Sequence, residues 1–137
     1  MSLLLPLVVL CTEAAGRDEP PISTICIEAQ TGMVIRESHA DVPRPPASMV
    51  KMMMMLLVAE GVADGTWSLE QPVTASRHAQ RMGGTQVYLE AGETHPLGRL
   101  MRAVAVGSAN DAAMAVAEGL WGSEDAYLAR MNQRAQE

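Results

Sequence analysis

The chain has 137 residues, is 48% hydrophobic and carries a formal charge of −6, with 10 Lys and Arg against 16 Asp and Glu. That length supplies one modest core rather than two, and the apolar content excludes a disordered chain. No block of Lys or Arg offsets the negative balance, which speaks against nucleic acid or an anionic membrane surface as a partner.

Phe is absent and Met occurs eleven times, so the core is expected to be built from Val, Leu, Ala and the adaptable Met side chain. The start runs Leu3-Leu4-Leu5-Pro6-Leu7-Val8-Val9-Leu10. It is too short to span a bilayer. It fits the apolar part of a secretory signal, with Thr12-Glu13-Ala14 supplying small residues for cleavage after Ala14, although the usual positive flank is missing. Residues 1–15 are therefore expected to be a signal peptide and the protein to be exported. Arg17 to Pro21 reads as a linker.

Ile22 to Glu28 alternates and is rich in β-branched residues, which predicts a strand with Cys26 as a buried, inert side chain. Thr31-Gly32 marks a turn, and Met33 to Arg36 a second strand closing a hairpin. Asp41 to Pro46 holds three prolines and reads as an irregular approach loop. From Ala47 the period changes: Met49, Met52, Met53, Leu56 and Leu57 predict a helix stopping at Glu60-Gly61. The run Met52 to Met55 reads as a core helix packed on all sides rather than a soft-metal site, since no Cys or His joins it.

Asp64-Gly65 is a turn, Trp67 to Thr74 holds a short strand, and Ser76 to Arg81 makes one helical turn. Gly83-Gly84-Thr85 reads as a flexible loop without the context of a phosphate cradle. Thr94-His95-Pro96 is expected to cap a helix with an apolar face of Leu97, Leu100, Met101 and Val104. Gly107-Ser108 interrupts it. A second helix is expected from about Asp111 to Glu118, ended by Gly119 and Gly122, and Ser123 caps a third carrying Tyr127, Leu128 and Met131. Cys11, Cys26, His39, His78 and His95 lack ligand spacing, so no zinc site is expected, and the histidines read as solvated or hydrogen-bonded loop residues.

Two groups carry chemistry. In Ser48-Met49-Val50-Lys51 the spacing i, i+3 at a helix start puts hydroxyl and amine on one face. A Ser hydroxyl becomes a nucleophile when a base takes its proton, and a Lys amine serves as that base where burial lowers its pKa. The helix N-terminus adds N–H groups for a developing oxyanion. The plain alternative is a capping Ser and a surface Lys. In Ser108-Ala109-Asn110, between two helices, the hydroxyl can pass a proton to a leaving amine, and the amide can hold a substrate backbone or the Lys51 ammonium. Its plain alternative is also helix capping.

Ser-x-x-Lys at a helix start followed about sixty residues later by Ser-x-Asn is the order of the penicillin-recognising serine enzymes. Pro45-Pro46-Ala47-Ser48-Met49-Val50-Lys51-Met52-Met53 resembles the nucleophile segment of the low-molecular-weight penicillin-binding proteins, the serine D-alanyl-D-alanine carboxypeptidases. Ser108-Ala109-Asn110-Asp111-Ala112-Ala113 resembles their second motif. The turn at Thr31-Gly32, the stretch Gly92-Glu93 with Pro96-Leu97-Gly98-Arg99-Leu100, and Met131-Asn132-Gln133-Arg134-Ala135 are similar as well, so the resemblance runs from about Ile22 to Gln136. Val50 stands where the family usually has Thr.

The resemblance implies an α/β (α+β) chain of the β-lactamase/transpeptidase-like type, here incomplete: an N-terminal hairpin plus the helical subdomain. It implies Ser48 as nucleophile, Lys51 as general base, Ser108 as proton shuttle and Asn110 as the group positioning substrate or Lys51. The substrate would be a peptidoglycan stem peptide ending in D-Ala-D-Ala, with β-lactams as acylating inhibitors, no metal or organic cofactor, and a periplasmic or cell-envelope location. No Lys-Thr-Gly motif occurs and Lys51 is the only Lys. Residues 16–137 are thus expected to be the N-terminal part of the catalytic domain, cut before the third motif, with any membrane anchor outside the chain and the piece inactive alone. Two alternatives stand: a class A-like serine β-lactamase, which needs a Glu-bearing loop beyond the second motif, and a non-catalytic fragment that binds peptidoglycan or a partner.

Overall fold

The computed structural model describes residues 22–137. The apolar start, the cleavage point after Ala14, the linker at Arg17 and Cys11 all lie outside them. The chain divides into two units, one ending at Pro45 and one spanning Pro46–Glu137.

In the first, β1 (Thr24–Ile27) and β2 (Val34–Ser38) pair antiparallel, with Cys26 opposite Arg36 and a register shift between Cys26 and Ile27. The turn is held by Glu28, whose carboxylate accepts from the Thr31 hydroxyl at 2.6 Å and from the backbone N–H groups of Thr31 and Gln30 at 2.7 and 3.0 Å. These bonds, the Thr31 hydroxyl first, lower the Glu28 pKa from its ordinary value. Cys26, expected to be buried, is exposed, because two strands alone make no layered core.

The second unit carries the core. A 3-10 turn at Ala47–Met49 leads into α1 (Val50–Ala63), followed by β3 (Pro72–Thr74), α2 (Arg77–Gln80), β4 (Thr94–Pro96), α3 (Leu97–Gly107), α4 (Asn110–Trp121) and α5 (Glu124–Gln136). Helix α4 is the axis and touches α2, α3, α5 and β3. Its Ala112, Ala115, Val116 and Ala117 are buried, and such small side chains let four neighbours approach closely. Around it pack Met54, Leu57 and Val58 of α1, Leu97, Leu100 and Val104 of α3, and Tyr127 of α5. Burial pushes the Tyr127 phenol up to about 12. Arg134 on α5 grips Glu60 on α1 through Nη2–Oε1 at 3.0 Å and Nε–Oε1 at 3.2 Å.

Three local expectations change. Helix α1 is not packed on all sides: Met52 is 64% exposed, because α3 and α5 pack against α1 and its buried residues, Lys51, Met54, Leu57 and Val58 among them, lie on another face. Thr94–Pro96 is not a cap but a strand, pairing with Pro72–Thr74 twenty residues earlier. Gly61 and Gly119 do not end their helices. α1 continues to Ala63, and α4 runs to Trp121 and stops at Gly122, whose φ is +83°.

Gly61 is instead a point of close approach: a Cβ there would lie 2.3 Å from the Trp67 ring, which in turn meets Trp121 edge-on at 4.9 Å. Gly61→Ala is expected to lose about 1–3 kcal/mol by overpacking, read as a lower denaturation midpoint. An unchanged midpoint would show that Trp67 moves freely out of this contact.

Candidate active site

The four residues singled out by sequence converge. Lys51 lies on the first turn of α1 and is 8% exposed. Its Nζ donates to the Ser108 carbonyl at 2.7 Å and to Asn110 Oδ1 at 2.6 Å, and lies 3.1 Å from Ser108 Oγ and 3.4 Å from Ser48 Oγ. Ser108 Oγ donates to Ser48 Oγ at 2.9 Å. Burial pushes the Lys51 amine below its ordinary range.

The two shortest contacts of Lys51 go to carbonyl oxygens, which only accept. A neutral amine has two N–H groups, and these two acceptors take both. Its lone pair is then left facing the two hydroxyls. Ser48 Oγ receives a hydrogen bond from Ser108, so its own proton is free to turn toward the amine. The arrangement can therefore draw a proton from Ser48 onto Lys51.

Helix capping does not account for these side chains. The N-cap positions of the 3-10 turn, α1 and α4 are Pro46, Met49 and Ala109, none with a side-chain capping bond. Ser48 and Ser108 meet each other instead, and both of them and Asn110 meet Lys51. The backbone also bends unusually at both serines. Ala47, just before Ser48, has φ +48° and Ser108 itself has φ +53°, a left-handed conformation that costs a non-Gly residue about 1–3 kcal/mol. At Ser108 it ends α3 and brings both the carbonyl and the hydroxyl to Lys51.

Three contributors were not singled out by sequence. Asn110 Nδ2 donates to the Gly83 carbonyl at 2.6 Å, and Asn110 N–H to the Thr85 carbonyl at 2.7 Å. The segment read as a flexible loop is thus a cradle for Asn110. Asp111, 1% exposed, anchors the residues after Thr85, its carboxylate accepting from the backbone N–H groups of Val87 and Leu89. Backbone acceptors leave no mark in sequence; the only signal was an acid at the second position of a helix, where the dipole favours it.

A family model described as D-alanyl-D-alanine carboxypeptidase (peptidase S11) matches residues 14–137. The chain belongs to the D-alanyl-D-alanine carboxypeptidase family. It is 38% identical over 115 residues to the D-alanyl-D-alanine carboxypeptidase DacF of Bacillus subtilis, covering 84% of this chain and 30% of that one. Among solved structures it superposes on the D-alanyl-D-alanine carboxypeptidase DacD of Francisella tularensis with a TM-score of 0.77 and 32% identity, covering 83% of this chain and 28% of that one. Penicillin-binding protein D2 of Listeria monocytogenes in its ampicillin-bound form aligns with a TM-score of 0.71 and 26% identity, over 83% of this chain and 45% of that one. The transpeptidase-like fold expected from sequence is thereby shown. The chain spans about three tenths of the length of the carboxypeptidases DacF and DacD.

Proposed function

We propose that this chain carries the nucleophile half of the catalytic centre of a serine D-Ala-D-Ala carboxypeptidase. The observation that carries the reading is the Ser48–Lys51–Ser108–Asn110 cluster, with the amine held by two carbonyl oxygens and facing two hydroxyls. Ser48 Oγ attacks the penultimate carbonyl of a peptidoglycan stem peptide while Lys51 takes its proton. Ser108 delivers a proton to the nitrogen of the departing D-Ala as the C–N bond breaks, and Lys51, 3.1 Å from Ser108 Oγ, hands on the proton it took from Ser48, so both groups return to their starting state. Water then cleaves the ester on Ser48, releasing the shortened peptide and regenerating the hydroxyl. Asn110 keeps the Lys51 amine in place.

A β-lactam would acylate the same oxygen; the ampicillin-bound relative supports this. The relatives described above are D-alanyl-D-alanine carboxypeptidases and a penicillin-binding protein, which favours the carboxypeptidase reading over the class A β-lactamase. The substrate places the protein at the cell envelope, with residues 1–15 as the export signal. No helix among the described residues is long and apolar enough to cross a membrane.

On this reading the carboxylate-recognising Lys-Thr-Gly strand comes from residues outside the chain, and the chain alone is inactive. The test is to treat the polypeptide joining this chain to that strand with a labelled penicillin and map the adduct by mass spectrometry. One adduct on Ser48 is expected; an adduct on another residue, or none, overturns the proposal.

A further inference from the structure

The clearest feature outside the four reacting and contacting side chains is the packing of residues 83–89 on the start of α4. Asp111 is the second residue of that helix. Its carboxylate accepts from Val87 N–H at 3.1 Å, from Leu89 N–H at 3.0 Å and from Ala112 N–H at 2.8 Å. Two donors from one loop on one buried carboxylate force the residue between them outward: Tyr88 has φ +59° and is 82% exposed. A left-handed, solvent-facing Tyr is unfavourable by itself, so the bonds on either side outweigh it.

The same loop touches the other end of the Asn110 amide. Gly83 accepts from Nδ2, and Gly84 sits at φ +78° with space for no side chain, since a Cβ there would lie 2.8 Å from that nitrogen. With Nδ2 fixed on Gly83, the amide has one orientation left, and Oδ1 faces Lys51. The order of contacts is thus Asp111 to the loop, the loop to Asn110, and Asn110 to the amine.

We propose that Asp111 is a positioning residue: by holding residues 83–89 against α4 it fixes the Asn110 amide and, through it, the Lys51 amine. This rests on the catalytic reading above and deepens it. An acid that served only the α4 dipole would stabilise the helix without affecting Lys51. An acid that holds the loop keeps the Asn110 amide on the Lys51 amine, where it both aligns the amine and occupies a place water would otherwise take.

The two roles separate experimentally because Lys51 is the only Lys in the chain. Lysine labelled with carbon-13 at Cε gives one resonance, and its pH titration reports Lys51 directly. In the unmodified chain the midpoint is expected below the ordinary value of about 10.4. In Asp111→Ala and Asp111→Asn, loosening of the loop admits water and the midpoint is expected to rise toward that value. Loss of a nearby negative charge alone would move it down, so the direction of the shift discriminates. Gly84→Ala changes no charge, pushes on Asn110 Nδ2 and is expected to raise the midpoint as well. It decides the matter if the Asp111 variants fail to fold.

Ser123→Ala removes the α5 cap, where Ser123 Oγ accepts from Ala126 N–H at 3.1 Å, and serves as a control. It should lower the melting temperature and leave the Lys51 midpoint in place. A midpoint that stays put or falls in folded Asp111 and Gly84 variants overturns the proposal. So does a rise of equal size in Ser123→Ala. Failure of penicillin labelling would remove the acyl-transfer reading, whereas the Lys51 titration answers the positioning question independently.

Discussion

Ser48→Ala is expected to abolish acylation by a labelled penicillin, a loss of at least about 10³-fold, while leaving the fold intact. On the proposed reading the hydroxyl oxygen is the atom that bonds to the acyl carbon, so no neighbouring group replaces it. Ser108 Oγ is 2.9 Å away, but its backbone is held in the left-handed turn that closes α3, which aims it at Ser48 rather than at a substrate carbonyl. The cost to stability is expected to be about 1 kcal/mol or less, since the Ser48 side chain is exposed and caps no helix. Labelling and melting are therefore measured together. Loss of label with an unchanged melt supports the assignment; label retained at the original rate would remove Ser48 from the reaction. Loss of label together with loss of fold would make the effect structural.

What the sequence showed, and what it hid, follows the range of the interactions involved. The hairpin turn was legible because Glu28, Thr31 and Gly32 are neighbours, and their bonds span three or four residues. The Ser123 cap was legible for the same reason. Ser48 and Lys51 share a turn, so their proximity follows from helix geometry alone. Ser108 and Asn110 lie 60 and 59 positions from the side chains they meet. Only their resemblance to a known order of motifs pointed to the meeting.

The elements that depart from expectation are set by contacts between distant segments. Thr94–Pro96 has the composition of a helix start, yet its partner is Pro72–Thr74, and pairing outweighed propensity. Gly61 has the composition of a helix stop, yet the Trp67 ring occupies the space its missing side chain leaves. The Met-rich α1 is apolar on every face, so its periodicity could not indicate which face α3 and α5 would cover. The cradle around Asn110 was least legible of all, because its acceptors are carbonyls of Gly83 and Thr85 and any residue carries one.

Lys51→Arg is expected to lose acylation by at least about 10³-fold although it keeps the charge and adds donors. A guanidinium stays protonated at any working pH and offers no lone pair. The same argument sets the pH dependence. Only the neutral amine accepts a proton from Ser48, so the acylation rate should rise with pH and level off above the folded pKa of Lys51, which burial places below the ordinary range. Measured on the same polypeptide, the kinetic midpoint and the Lys51 Cε titration midpoint should agree, because both count the same proton.

Stability should move in the same direction. Between the folded pKa and the unfolded value of about 10.4, the unfolded chain holds a proton that the folded chain has released. Unfolding free energy therefore increases with pH across that window, and the penalty for a buried ammonium is largest below it. Full acylation by Lys51→Arg, or a rate that is flat through the Lys51 titration, would show that another group takes the proton. In that case the two carbonyl contacts would mark Lys51 as an ammonium that fixes Ser108 and Asn110 in place rather than as the base.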